Sequence, residues 1–275
     1  MEQKYGLIGH PLGHSLSPWI HERLFALTGT TGTYRLLDLD ETAFAAAKDT
    51  LSEYSGYNIT IPYKTKIIET LDQLDDSARD CGAVNCVHVQ SGRQTGYNTD
   101  RDGFLNSLPD GALSGRVLLV GCGGAGRMMA AETVRHGGDL TIAVRRESVS
   151  KTLAVADELK EKYADASVRV VAIDDCADDY DTLLNATPIG MYPNVDACPV
   201  TENVIRRVKL VFDVIYNPVR TKLLLTADRL GIPAIDGAEM LVRQAARAQE
   251  IWRGVRFEEA QLCELTDQLR KKLEG

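Results

Sequence analysis

Short apolar runs alternate along this chain with stretches rich in helix formers, and glycine or proline marks most of the switches between them. Early in the chain, strands are predicted over residues 5–9, 33–37 and 57–61, the last alternating in character and stopping at Pro62. Helices are predicted over 19–27 and 41–54; Pro18 suits the first turn of the former, with Ser17 as its N-cap. A helix over 64–71 and a short helical stretch over 75–80 follow. Residues 83–89 and 93–97 then read as a strand pair joined at Ser91-Gly92.

The pattern changes after the turn signals Pro109-Asp110-Gly111 and Ser114-Gly115. The apolar run Val117-Leu118-Leu119-Val120 stops abruptly at Gly121-Cys122-Gly123-Gly124-Ala125-Gly126, and a helix is predicted over 128–136. Strand, glycine turn and helix in that order are what a dinucleotide site needs. Gly121 allows the tight turn, Gly123 lets the backbone approach a pyrophosphate, and Gly126 lets helix and strand pack closely. The phosphates would then face free N–H groups at the positive end of the helix. The competing reading is a merely structural strand-to-helix turn. Strand-like runs recur at 140–144, 168–173, 182–185 and 208–214, the rhythm of a doubly wound parallel sheet. From Gly237 onward the pattern is helical, over 240–253 and 257–273.

These elements predict an α/β protein of two domains. Residues 1–103 with 237–275 form an N-terminal α/β substrate domain to which the closing helices return, and 104–236 form a Rossmann-type dinucleotide-binding domain. A length of 275 residues fits two domains, and 44% hydrophobic with 25% charged residues is ordinary globular composition. The net charge of −8 argues against nucleic acid or an anionic membrane as a partner, while leaving room for a local basic phosphate pocket. Met1-Glu2-Gln3-Lys4-Tyr5 carries no signal-peptide core, and no apolar stretch is long enough to cross a bilayer. Cys81, Cys86, Cys122, Cys176, Cys198 and Cys263 are scattered without metal-site spacing, which suits reduced thiols in a cytoplasmic protein and no metal.

Candidate chemistry gathers at strand ends. The strand after the glycine loop leads into Arg145-Arg146-Glu147, where the adenosine ribose of a cofactor would arrive. Arginines favour the 2′-phosphate of NADP and an acidic residue favours the free hydroxyl of NAD, so the pair points to NADP while Glu147 leaves NAD open. Ser15 and Ser17 flank one leucine and can both donate to a carboxylate, although turn and cap roles explain them equally. Asn58 and Thr60 share a strand face, and Lys64 follows Pro62; most lysines are simply solvated. Asp100 closes Gly96-Tyr97-Asn98-Thr99-Asp100 at a strand exit, where a helix N-cap is the ordinary role.

Taken together, seven motifs resemble the shikimate dehydrogenase family, in order and over essentially the whole chain. They are Gly13-His14-Ser15-Leu16-Ser17-Pro18, Asn58-Ile59-Thr60-Ile61-Pro62-Tyr63-Lys64, Gly82-Ala83-Val84-Asn85, Gly96-Tyr97-Asn98-Thr99-Asp100, Asn185-Ala186-Thr187-Pro188-Ile189-Gly190-Met191, Tyr216-Asn217-Pro218, and Asp236-Gly237 through Gln244. The resemblance implies that Ser15 and Ser17 hold a substrate carboxylate, that Asn58, Thr60, Asn85, Tyr216 and Gln244 contact the ring substituents, and that Lys64 and Asp100 are the catalytic pair. It implies a cofactor site made of the glycine loop (Gly121, Gly123, Gly124, Ala125, Gly126), Arg145, Arg146, Glu147, Thr187, Val214 and Gly237, with Met191 near the nicotinamide.

The chain departs from the family pattern at Arg101-Asp102, where glycine usually follows the aspartate, and at Glu239, where a second glycine is usual. Arg145-Arg146-Glu147 replaces the family's Asn-Arg-Thr and resembles the quinate/shikimate dehydrogenase branch, which uses NAD as well as NADP. The implied activity is reversible NADP-dependent reduction of 3-dehydroshikimate to shikimate by a monomer or homodimer, with quinate as an alternative substrate. Other dehydrogenases of this plan, such as those acting on folate C1 units, do not need the paired serines. A non-catalytic dinucleotide sensor would not need both Lys64 and Asp100.

Overall fold

The computed structural model describes residues 3–13 and 15–275; Met1 and Glu2 of the leader reading, and His14 of the first motif, lie outside the described residues. The chain forms two compact units, one of residues up to Gly103 with Leu241–Leu269, the other of Phe104–Met240 with Arg270–Gly275. No helix among the described residues is long and apolar enough to cross a membrane.

The first unit is built on β1 (Lys4–Gly9), β2 (Thr33–Asp38), β3 (Gly56–Ile59), β4 (Gln73–Leu74), β5 (Cys86–Gln90) and β6 (Arg93–Tyr97), in the sheet order β2-β1-β3-β5-β6-β4. β1 runs parallel to β2 and β3, β5 is antiparallel to β3 and β6, and β4 is parallel to β6. The β5–β6 hairpin turns on Ser91 and Gly92 with φ of 52° and 79°, the left-handed pair that matches the twist of adjoining strands.

Alternation along the strands gives this sheet two buried faces. Ile8, Tyr57 and Ile59 enter a core with Tyr63, Ile67, Val84 and Val87. Tyr5, Leu7 and Tyr34 point the other way, against Phe25 and, from the far end of the chain, Ala248 and Trp252. Asn58 stands between Tyr57 and Ile59 and so falls on this second face.

The second unit carries β7 (Arg116–Val120), β8 (Asp139–Val144), β9 (Val168–Ala172), β10 (Tyr180–Asn185), β11 (Val208–Asp213) and β12 (Ala234–Ile235). All are parallel, in the order β12-β11-β10-β7-β8-β9. The order reverses between β7 and β10, which makes the carboxyl ends of these two strands the topological switch point where ligands of such sheets bind. The central strands are covered on both faces, which is why they read as unbroken apolar runs: Leu118, Val120, Leu183 and Val211 share one core with Leu223 and Leu224.

Several expected elements differ in detail. The helix over 41–54 is two pieces, Glu41–Ala46 and Lys48–Leu51, because the Ala47 N–H bonds back to Phe44 in a tightened turn. The stretch 64–71 is a short 3₁₀ helix, Lys66–Thr70. The helix that the sequence would cap at Asp100 starts earlier, at Thr99, and runs to Asn106. The helix after the glycine loop begins at Gly124 rather than Met128, inside the loop itself. β4 and β12, at two residues each, are too short to show a periodicity.

A close approach in the first unit joins its two chain segments. Trp252, on the helix Ala238–Arg253, donates from Nε1 to the Val87 carbonyl at 2.8 Å and stacks on Tyr5 at 5.0 Å and His21 at 5.4 Å. A Cβ at Gly56 would lie 2.3 Å from its indole. The ring is held on each side and cannot withdraw, so Gly56→Ala should destabilise the protein by about 1–3 kcal/mol, read as a lower urea midpoint at unchanged slope.

Candidate active site

The first unit assembles its polar side chains around the start of the helix Thr99–Asn106. Lys64 Nζ donates to Asp100 Oδ2 at 2.6 Å, with the two side chains 33% and 23% exposed, so the pair is held yet reachable from solvent. Asn85 Nδ2 donates to the other carboxylate oxygen at 2.8 Å and to Thr99 Oγ1 at 3.0 Å. Asn85 Oδ1 accepts from the Thr99 N–H at 2.6 Å, which fixes which way the amide points. Asp100 is therefore in the first helical turn, with its charge near the positive end, and is not the N-cap. The residue before the helix, Asn98, supplies the capping oxygen to the Arg101 N–H at 3.4 Å.

Asn58 links this pair to the serine loop. Its Nδ2 donates to the Asn85 carbonyl at 3.1 Å, and its Oδ1 accepts from the Tyr34 hydroxyl at 2.8 Å. Tyr34 stacks on His21 with ring centres 4.0 Å apart, and the His21 ring in turn meets Gln249 at 3.2 Å. Burial pushes His21 down to about 3, with Asn58 opposing, so this imidazole stays neutral. Burial likewise raises the Tyr34 phenol, partly offset by the Ser17 hydroxyl.

Ser15 and Ser17 are both half-buried at the entry to the helix Ser17–Leu27. The expected cap is displaced by one position: Leu16 is the N-cap, Ser17 is the first helical residue, and Ser15 Oγ accepts the Ser17 N–H at 3.3 Å. Pro18 sits in the first turn as expected.

Thr60 follows β3 directly, its N–H donating to the Ile8 carbonyl at 2.8 Å. Gln244 lies on the helix Ala238–Arg253 with its amide turned to the Leu241 carbonyl at 2.9 Å. One turn further, Arg247 Nε donates to Asp102 Oδ2 at 3.1 Å, which ties that helix to the one bearing Asp100. Ser15, Ser17, Asn58, Thr60, Lys64, Asn85, Asp100 and Gln244 thus all belong to the first unit, whereas Tyr216 belongs to the second, where burial raises its phenol. Tyr34 and His21 escape the sequence reading because each looks like an ordinary core aromatic.

In the second unit the glycine loop leaves β7 at the switch point. Gly121 has φ +91°, and a Cβ at Gly126 would lie 2.5 Å from the Gly121 carbonyl, so the first glycine makes the turn and the last admits the helix. Gly123 and Gly124 are exposed, and a Cβ on either would meet only open space. Helix donors with no intrahelical partner and an unobstructed approach are what a pyrophosphate requires, and Ala125 continues the same turn.

The neighbouring strand ends complete this edge. Arg145 pairs with Glu147 at 3.3 Å, and Arg146 with Asp175 at 3.0 Å. Asp175 follows β9 and is invisible to local sequence reading, because only the register Val144↔Ala172 brings it beside Arg146. Thr187 leans over Gly121, where an added Cβ would meet its methyl at 2.6 Å, and a Cβ on Gly237 would collide with the Val214 carbonyl at 2.1 Å. Met191 is 45% exposed in the loop beyond β10.

A buried carboxylate unites these loops. Asp213, fully buried at the end of β11, accepts from Asn185 Nδ2 at 2.9 Å, the Ile215 N–H at 3.1 Å and Thr221 Oγ1 at 2.7 Å. Asn185 Oδ1 accepts in turn from the Thr187 N–H and hydroxyl, at 3.1 Å and 2.7 Å. Burial raises Asp213 to about 6 against these three donors, with Asp236 adding to the rise.

A mixed α/β unit with a Lys–Asp pair and a Rossmann unit with a glycine turn define the class of this protein. Residues 7–87 match the family model described as the shikimate dehydrogenase substrate binding domain. The chain is 35% identical over 264 residues to shikimate dehydrogenase (NADP(+)) of Shouchella clausii (strain KSM-K16), covering 92% of this chain and 94% of that one. Shikimate 5-dehydrogenase from Thermus thermophilus, solved in complex with NADP(H) and shikimate, matches with a TM-score of 0.85 and 30% identity over 97% of this chain and 99% of that one. Quinate dehydrogenase from Corynebacterium glutamicum, solved with NAD, matches with the same TM-score, identity and coverage. The chain belongs to the shikimate dehydrogenase family.

The raised Asp213 makes a pH-dependent contribution. The folded state holds this proton more tightly than the unfolded chain, so the stabilisation is fully present below the ordinary aspartate value of 3.8 and is lost as pH rises through about 6. Asp213→Asn keeps an acceptor for Asn185 and Ile215 without the charge. The stability of the unmodified protein relative to this variant should therefore fall between about pH 4 and about pH 7, by roughly 3 kcal/mol at most, measured by urea unfolding at each pH.

Proposed function

We propose that this protein catalyses the reversible NADP-dependent reduction of 3-dehydroshikimate to shikimate. The first unit holds the substrate in this reading and the second the nucleotide. The observation that carries it is the Lys64–Asp100 pair at 2.6 Å, oriented by Asn85 and open to solvent.

Lys64 has one N–H committed to Asp100 and others free to meet a substrate oxygen. As the carbonyl carbon gains its new C–H bond, charge develops on the oxygen, and the ammonium both stabilises that charge and supplies the proton. Asp100 keeps the ammonium in place and accepts from a neighbouring substrate hydroxyl. Ser15 and Ser17 hold the carboxylate, and Asn58, Thr60, Asn85 and Gln244 face the ring substituents. The reduced nicotinamide supplies the hydride. The glycine loop, Thr187, Val214 and Gly237 receive that nucleotide, Met191 borders its ring, and Arg145 and Arg146 take the 2′-phosphate.

A second reading, quinate or shikimate oxidation with NAD as well, is favoured by one observation. Both arginines of the ribose site are already paired with carboxylates. Steady-state rates for shikimate and quinate, each with NADP and NAD, separate the two; absence of turnover on all four combinations would sink both.

If Lys64 and Asp100 act as a unit, Lys64→Ala and Asp100→Ala should each lower kcat by about 10²–10⁴-fold, and the double variant should be little worse than the poorer single one. Near-normal turnover in either single variant overturns the assignment. Ser15→Ala or Ser17→Ala should instead raise KM for shikimate more than it lowers kcat, as expected when roughly 1–3 kcal/mol of carboxylate pairing is lost. A large kcat loss at constant KM would contradict the binding role.

A further inference from the structure

By sequence alone, the end of β8 sets two arginines against one glutamate. The sheet register changes that balance. Val144 of β8 lies opposite Ala172 of β9, so Arg145-Arg146-Glu147 and Ile173-Asp174-Asp175 leave the sheet side by side. Asp175 Oδ1 sits 3.0 Å from Arg146 NH2, and Glu147 sits 3.3 Å from Arg145. Each guanidinium therefore has a carboxylate at hand, and Asp174 adds negative charge beside Arg146.

Resting on the nucleotide reading above, we propose that Asp175 is a specificity-determining residue of the ribose site, competing with the cofactor's 2′-phosphate for Arg146 and narrowing the preference for NADP over NAD. The physical reason is exchange. A 2′-phosphate brought to Arg146 either shares the guanidinium with Asp175 or displaces it, and in both cases a dianion arrives beside a carboxylate. A free 2′-hydroxyl requires no such displacement and leaves the Arg146–Asp175 pair intact. Both side chains are more than half exposed, at 66% and 57%, so the competition is moderate and weakens in salt. Glu147 restrains Arg145 in the same manner but is its near neighbour in sequence, whereas Asp175 acts across two strands. The cofactor preference of this chain is thus tuned in part by a residue outside the loop that carries the arginines.

The test is equilibrium binding to the full chain, by calorimetry, of NADP+, NAD+, adenosine 2′,5′-bisphosphate and AMP. Asp175→Asn should tighten NADP+ and the bisphosphate about fivefold while leaving NAD+ and AMP within about twofold. The gain should shrink at high salt, and it should vanish when Arg146→Ala is already present. A change of equal size for all four ligands, no change, or a full gain in the Arg146→Ala background would overturn the proposal. Failure of NADP+ and NAD+ alike to bind the unmodified chain would remove the parent reading together with this one. Binding with an unaltered preference in Asp175→Asn removes this inference alone.

Discussion

The arrangement of the first unit hangs on one side-chain amide. The Thr99 backbone N–H can only donate, so Asn85 must turn its oxygen toward it, and its NH2 is thereby aimed at Asp100. With one carboxylate oxygen taken by Asn85, the other is left to Lys64. A single backbone donor thus fixes the orientation of an amide, a carboxylate and an ammonium in succession. The pair itself is partly buried yet open to solvent, so the geometry holds opposite charges in place within reach of a ligand. Through its carbonyl, Asn85 also receives the Asn58 amide, and the same logic passes on to Tyr34 and the serine loop.

The second unit solves a similar problem with the opposite sign of burial. Loops leaving β10 and β11 keep Thr187 and Val214 half-buried at the strand ends while their backbones remain satisfied. Asp213 does this from within, receiving one backbone and two side-chain donors, and Asn185 extends the network to Thr187. The result is a hydrogen-bonded carboxyl edge at the point where the strand order reverses. Glycines along that edge do the rest, removing side chains wherever two backbones must touch.

Much of this is legible before any coordinates. β7 and its glycine loop stand out because a strand buried on both faces must be apolar throughout, and because only glycine takes the turn that follows. The Lys64–Asp100 pair is not legible from local pattern, since a lysine near a proline has no signature of burial or pairing; the family resemblance nominates it. Helix starts at Ser17 and Asp100 are misplaced by a position or two because hydroxyls and carboxylates suit both the cap and the first turn. β4 and β12 are too short to declare a period. Asp175 is a different kind of omission, since its role comes from strand register, which composition near residue 175 does not encode. Tyr34 and His21 are hidden for the reverse reason: their pattern is that of a core, and only their hydrogen bonds reveal the polar role.

The closure of Trp252 over Gly56 has a consequence for the order in which the chain can mature. The first unit draws on residues up to Gly103 and on Leu241–Leu269, so its indole keystone is synthesised only after every strand of the second unit. The intervening parallel sheet is contiguous and can complete its core while the earlier segment still waits. A polypeptide emerging from the ribosome would therefore finish its middle before its beginning, with the β1–β3 face uncovered in the interval. Arrest or truncation ahead of residue 252 would leave that apolar face open.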